Sequence, residues 1–290
     1  MASILTNSSS MAALSTLRSI GSQMSTTQER ISSGLKVGSA ADNAAYWSIS
    51  TTMKTESSSL SVVGEALGMG SSLADISSTA TQSIIDLAKQ VRDRLTAAGE
   101  GTNDAGKLQV EIDQLNEQMA SIVKSATFNG VSWLNATAAG GTTPLTETTV
   151  LSGVSKEKAT NGTITTTLDT ITIKLQSSEG APRNVNTIVK DMAGVKTNAA
   201  AAGLTIIDNA IQALTEIGSR FGAASTRIDL QKDFISSLTD AIDRGVGSLV
   251  DADMNEESTR LKALQTQQQL AVQSLSIANS SSESILQLFR

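Results

Sequence analysis

LTIIDNAIQALTEIGSRFGAASTRIDLQKDFISSLTDAI, residues 204–242, carries Leu204, Ile207, Ile211, Leu214, Gly218, Phe221, Ser225, Ile228, Lys232, Ile235, Thr239 and Ile242 at strictly alternating intervals of three and four. That alternation returns a side chain to one face of an α-helix. The run exceeds five heptads and holds no proline, so it reads as one helix whose coiled-coil-like seam needs a partner of comparable length.

Such partners lie elsewhere in the chain. Ile49, Met53, Glu56, Leu60, Val63 and Leu67, resuming at Leu73, Ile76, Ala80, Ile84, Leu87 and Val91, predict a second long helix reaching the glycines at 99 and 101. A third follows with Leu108, Ile112, Leu115, Met119 and Ile122. Upstream, Leu14, Leu17, Gly21, Met24, Gln28, Ile31 and Leu35 mark a helical face ending near Gly34 and Gly38. The closing segment repeats the spacing at Leu261, Leu264, Gln268, Ala271, Leu275, Ala278, Ser282, Ile285 and Phe289.

Both prolines, Pro144 and Pro182, fall in a Thr/Gly-dense middle. Asn129-Gly130 in SATFNGVSWLN reads as a hairpin turn, and the β signal continues in TTVLSG and in NGTITTTLDTITIKLQ, where Asn161-Gly162 marks another. The expected fold is therefore mainly α: a long antiparallel helical rod with terminal coiled-coil helices and a small β-rich insert. Short connections bring the second helical flank back along the first.

Composition removes most chemistry. The 290 residues contain no His and no Cys, so Cys/His zinc sites, Ser-His-Asp or Cys-His centres, thiol redox sites and disulfides are excluded. No paired-carboxylate site stands out, and the chain reads as a non-enzyme without cofactor or metal. NEQ at 116–118 and DADMNEE at 251–257 read as solvated helix stretches, since they lack the spacing of a calcium loop. A net charge of −6 argues against nucleic acid as partner. No run has the 18 or so apolar residues of a membrane span, and the N-terminus lacks the basic and apolar regions of a cleaved signal peptide.

In ERISSGLKVGSAADNAAYWSIS, residues 29–50, Gly34 and Gly38 permit a sharp path between two helices. Ser39 and Asp42 form a capping box that restarts the second. Tyr46 and Trp47 are expected to anchor its packing. Residues 1–17 and 263–282 carry no charged side chain. Such surfaces suit burial against protein, because no charge has to be desolvated when copies crowd together.

ERISSGLKVGSAADNAA resembles the N-terminal motif of bacterial flagellins, SATFNGVSWLN resembles their FNG turn, and DADMNEESTRLKALQTQQQLAVQSLSIANSSSESILQLFR resembles a flagellin C-terminus throughout. The resemblance covers residues 1–135 and 203–290. It implies a secreted, extracellular structural subunit that polymerises with itself, and with other flagellins where they co-assemble, into the flagellar filament. It also implies type III export, an export chaperone, hook-filament junction proteins and a filament cap. By the same resemblance, 1–38 with 251–290 form an inner terminal coiled-coil domain, 39–135 with 203–250 a helical tube domain, and 136–202 an outer domain. Leu14, Leu17, Met24, Ile31, Leu261, Leu264, Leu275, Ile285 and Phe289 become the self-assembly seam. Gly34, Gly38, Ser39 and Asp42 become the inter-domain connection. The alternative within the superfamily is a hook-filament junction protein.

Overall fold

A computed structural model describes residues 7–100, 104–135, 145–158, 164–177 and 183–288, the side chains of 157, 158, 164 and 281–288 excepted. The elements are α1 (Ser8–Ser33), α2 (Ala44–Gly99), α3 (Ala105–Ser125), β1 (Glu147–Lys158), β2 (Ile164–Lys174), α4 (Val185–Ala193), a 3-10 turn Thr197–Ala199, α5 (Ala200–Val250) and α6 (Met254–Leu288). They fall into two compact units, Ser58–Thr239 and a second made of Met1–Ser57 with Asp240–Arg290.

Within Ser58–Thr239, α2 and α5 run antiparallel. Ser71 Oγ donates to Asp229 Oδ1 at 3.2 Å, Ser225 Oγ to Asp75 Oδ1 at 2.9 Å, and Arg92 meets Asp208 at 3.7 Å. Leu67, Ile84, Leu95, Ile207, Leu214 and Phe221 are fully buried. The column at every seventh position, Ile207, Leu214, Phe221, Ile228 and Ile235, is buried throughout. The second column differs from expectation: Ala210, Ile217 and Ala224 are buried, while Ile211, Gly218 and Ser225 are half-buried and Lys232 is exposed. Two stripes can share one heptad column, and the charge-free one turns inward because a buried Lys232 would need a partner.

Asp104 caps α3, its side chain accepting from Gly106 N. α3 packs against α4, which buries Val185, Ile188, Val189 and Met192. This short helix in the middle of the chain was not expected. It is capped by Asn184, whose side chain accepts from Thr187 N. Asn129 and Gly130 take φ of 49° and 79°, the left-handed pair of a tight hairpin turn, and Phe128 bridges Val131. Just beyond, Trp133 stacks on Phe221 with ring centroids 6.1 Å apart.

β1 and β2 form one antiparallel hairpin from Glu147↔Lys174 to Lys158↔Ile164, with a bulge between Leu151 and Gly153. The Asn161-Gly162 turn lies outside the described residues. The hairpin's inner half is anchored: Val150 fills the space over Gly70, where a Cβ would come within 2.6 Å of its Cγ1. Gln231 Nε2 donates to Ser152 O at 2.8 Å and Arg220 Nη1 to Gln176 O at 2.7 Å. From Thr165 to Thr170 every residue is exposed.

Candidate functional site

The other unit holds the terminal helices and their connections. α1 starts at an Asn7 cap whose side chain accepts from Ser10 N. It runs antiparallel to α6: Asn7 Nδ2 donates to Ala278 O at 3.0 Å, Ser10 Oγ to Asn279 Oδ1 at 2.6 Å, and at the far end Arg30 meets Glu257 at 3.2 Å. The inward stripe on α1 is Ala13, Leu17, Ile20, Met24, Thr27 and Ile31, of which only Ile20 and Thr27 are fully buried. Ile20 and Thr27 are the deepest positions, each one residue before a member of the expected face, Gly21, which is half-buried, and Gln28. Gln28 is exposed, and so is Leu14. A slight rotation of α1 puts the larger Ile20 inward in place of Gly21, and it carries Gln28, whose amide would need partners, out to water.

On α6, Leu264 is buried and Leu261, Gln268, Ala271, Leu275 and Ala278 are half-buried. Ile285 lies on the helix without a described side chain, and Phe289 is outside the described residues. The remaining faces are open: Met11, Leu270, Val272 and Ile277 are exposed apolar side chains in segments, 1–17 and 263–282, that carry no charged residue.

Glu257 closes one end of the pair. It is 4% exposed, and its Oε1 accepts from both Arg30 and Arg260 Nη1 at 3.2 Å each, while its Oε2 has no hydrogen-bond partner. Arg260 also reaches Glu256 at 2.8 Å. The hydrophobic spacing carried no signal for this cluster, because it scores charged positions as solvent-facing.

The two connections pair with each other. Gly34 ends α1 with φ 72°, its N–H donating to Arg30 O, a conformation that favours glycine. Leu35 and Asp251 form an antiparallel bridge, Lys36 N donates to Val250 O at 2.7 Å, and Ala252 N to Gly34 O at 2.9 Å. Beneath them Val37, Val246 and Val250 form a small core with Met53, Ile242 and Leu249 against it. These residues tie the start of α2 and the end of α5 into this unit.

Ser39 and Asp42 do not cap α2. Asp42 Oδ2 accepts from Gly38 N, Ser39 N and Ser39 Oγ, closing a turn before the helix. Those bonds, Ser39's backbone first, hold the carboxyl below its ordinary range. Asn43 is the cap: its Oδ1 accepts from Ala45 N and Tyr46 N at 3.1 Å each. Asn43 sits nearer the first helical residue and satisfies the N–H groups that open the helix. Tyr46, Trp47 and Ile49 are exposed, contrary to their expected packing, and Ser50 turns inward.

Among the described residues there is no group of His, Cys, Asp and Glu able to hold a metal ion, and no helix is long and apolar enough to cross a membrane. What this unit offers is surface. Residues 4–139 match the bacterial flagellin N-terminal helical region and residues 204–289 the bacterial flagellin C-terminal helical region. The chain belongs to the bacterial flagellin family. Over the full length of both chains it is 39% identical to Flagellin A and 42% identical to Flagellin C of Rhizobium meliloti (strain 1021), and 41% identical to a flagellin of Brucella melitensis biotype 1. As a flagellin it is a structural subunit of the extracellular flagellar filament, with no catalytic role, and self-polymerisation follows from the family. The alignment to Flagellin A runs over 396 positions against 290 residues here, so long gaps open opposite this chain. Residues 140–203 lie outside both family regions.

Proposed function

We propose that this flagellin polymerises through its terminal helix pair. Leu17, Met24, Ile31, Leu261, Leu264, Leu275, Ile285 and Phe289 form the seam, and Leu14 serves the outward face. The observation that carries the reading is an incomplete stripe that runs into charge-free segments, 1–17 and 263–282, with Met11, Leu270, Val272 and Ile277 left to solvent. Neighbouring copies supply the missing burial at no cost of desolvating charge. In functional terms the chain divides into an inner part, 1–38 with 251–290, a tube part, 39–135 with 203–250, and an outer part, 136–202. Gly34, Gly38, Ser39 and Asp42 shape the passage between the first two. Other flagellins, an export chaperone, hook-filament junction proteins and a cap complete the partners that the family's role requires.

Leu275→Glu tests the proposal, because Leu275 is half-buried in the monomer and becomes inaccessible only in a polymer. Seeded assembly followed by electron microscopy should show fibres for the native chain and none for the variant. Both monomers should keep the same far-ultraviolet dichroism. Fibres from the variant at the native critical concentration would refute the seam.

A further inference from the structure

Within the Ser58–Thr239 unit, β2 and α5 leave a groove of about 300 Å³ between them. Its walls are apolar where the anchored half of the strand meets the helix: Ile171, Ile173 and Ala224 are buried there, with Ala223 beside them. Lys174, Arg220 and Arg227 line it as well. The hollow has a cause in the sequence. Arg220 and Arg227 are one heptad apart, about 10 Å along one face of α5, and the residues that line the groove between them are two alanines, too small to fill the space under the strand.

The three cations are not equivalent. Arg220 is fixed: its Nη1 donates to Gln176 O at 2.7 Å and its Nη2 to Glu216 Oε1 at 2.6 Å, so one carboxylate already answers its charge. Lys174 and Arg227 are exposed and have neither a hydrogen bond nor an ion pair among the described residues, although Glu147 stands opposite Lys174 in the strand register. None of the described residues lining the groove is acidic. A single exposed cation is solvated and needs no partner. Two unpaired cations meeting over an apolar floor are a different matter, because mostly apolar walls with a few convergent polar groups are what a small-molecule site consists of.

We propose that this groove binds a small amphipathic anion, an aliphatic or aromatic carboxylate, with its apolar body on Ile171 and Ile173 and its carboxylate between Lys174 and Arg227. The planar fork of Arg227 suits a carboxylate bidentately, and Lys174 adds a point charge. Arg220, tied to the residue two places beyond Lys174, holds the strand to the helix at that end of the groove. The chain's net charge of −6 repels a long polyanion. One anionic group on an apolar body meets the two free cations without that penalty.

Binding of this kind is a property of the monomer, so its test is independent of the filament reading. Octanoate titrated into the full-length monomer, followed by amide resonances, should move the signals of 171–174 and 223–227 saturably. Octylammonium, which has the same tail and the opposite charge, and acetate, which has the charge without the tail, should leave them in place at the same concentrations. The double variant Lys174→Gln, Arg227→Gln changes only exposed side chains and should bind octanoate at least tenfold more weakly, the loss of a charge-assisted contact. Lys190→Gln removes a positive charge from α4, elsewhere in the same unit, and should bind as the native chain does. Octanoate that leaves both segments unmoved overturns the proposal, and so does equal affinity in the double variant. Equal shifts with octylammonium would reduce the groove to an apolar surface, and equal shifts with acetate to a charged one; either result overturns it too.

Discussion

Along α5, Ile207, Leu214, Phe221, Ile228 and Ile235 are buried at every seventh position, whereas on α6 between Met254 and Asn279 only Glu257 and Leu264 are buried. Both helices carry the same three-four spacing. They differ in what occupies it: α5 places Ile, Leu and Phe where α6 places Gln268, Ala271 and Ala278. Ordering a residue costs about 1–2 kcal/mol of backbone entropy, and a fully buried large aliphatic side chain returns about 1.5–3 kcal/mol. The α2·α5 core recovers its cost within the unit. On the assembly proposed above, the α1·α6 pair, with Ile20 and Leu264 as its buried large side chains, does so when other copies add area. Periodicity therefore specifies a helix, and side-chain size decides whether it is self-sufficient.

The contrast can be broken most directly by truncation. Phe221→Ala removes a fully buried ring that also stacks on Trp133, and should cost about 3–5 kcal/mol in denaturant unfolding of the monomer. Leu275→Ala should cost less than about 1 kcal/mol in the same experiment, since little transfer energy is at stake at a half-buried site. Equal losses would mean that the terminal pair is a core like the other. Hydrogen exchange sharpens the same point. Amides of 8–33 and 258–280 should exchange much faster in the monomer than those of 207–235 and become slow in the filament. Strong protection of both segments in the monomer would remove the distinction.

A smaller effect is expected at Glu257. Arg30→Ala leaves its carboxylate with Arg260 alone and should weaken the terminal pair by about 1–3 kcal/mol. Replacing both partners, Arg30→Met with Glu257→Leu, should cost less than the single change, because no buried charge is then stranded. A double variant worse than the single would show that the ion pair adds net stability. Asn43→Ala should cost about 1 kcal/mol by removing the cap of α2, while Ser39→Ala, which sits in the turn and not at the cap, should cost less.

The smallest expected effect is a pH dependence at Asp42. Its folded carboxyl titrates below the ordinary range because Ser39 and Gly38 donate to the ionised form. The turn is thus stabilised above the unfolded carboxylate pKa, and that contribution is lost as pH falls through the lower folded value. The Ser39 amide resonance should report the transition, and Asp42→Asn should abolish it. A Ser39 shift that titrates at the ordinary value would contradict the geometry.

Long runs were legible in the sequence because many small preferences agree over five heptads. The boundaries were less so. Ser39 and Asn43 are both good caps, and only the turn that Asp42 closes selects between them. α4 spans nine residues, too short for a helical period to stand out beside the β pattern of Ile164–Lys174, and it owes its stability to packing on α3. Which column accompanies Ile207 and Phe221 depends on what covers the pair from the side, through contacts distant in sequence. The seam residues were readable as a helical face, but the outward turn of Leu14 and the inward turn of Ile20 follow from a rotation that spacing does not encode.

The hairpin fixes its inner half to the helices through Val150 over Gly70 and leaves Thr165–Thr170 open to solvent. Its anchor and its open end can therefore be altered separately. Lengthening the chain between Lys158 and Ile164 disturbs no anchoring contact and costs about 0.6 kcal/mol for each doubling of the loop. If 136–202 is the outer part proposed above, a foreign peptide inserted there would be displayed once per subunit, while Val150, Gln231 and Arg220 hold the scaffold.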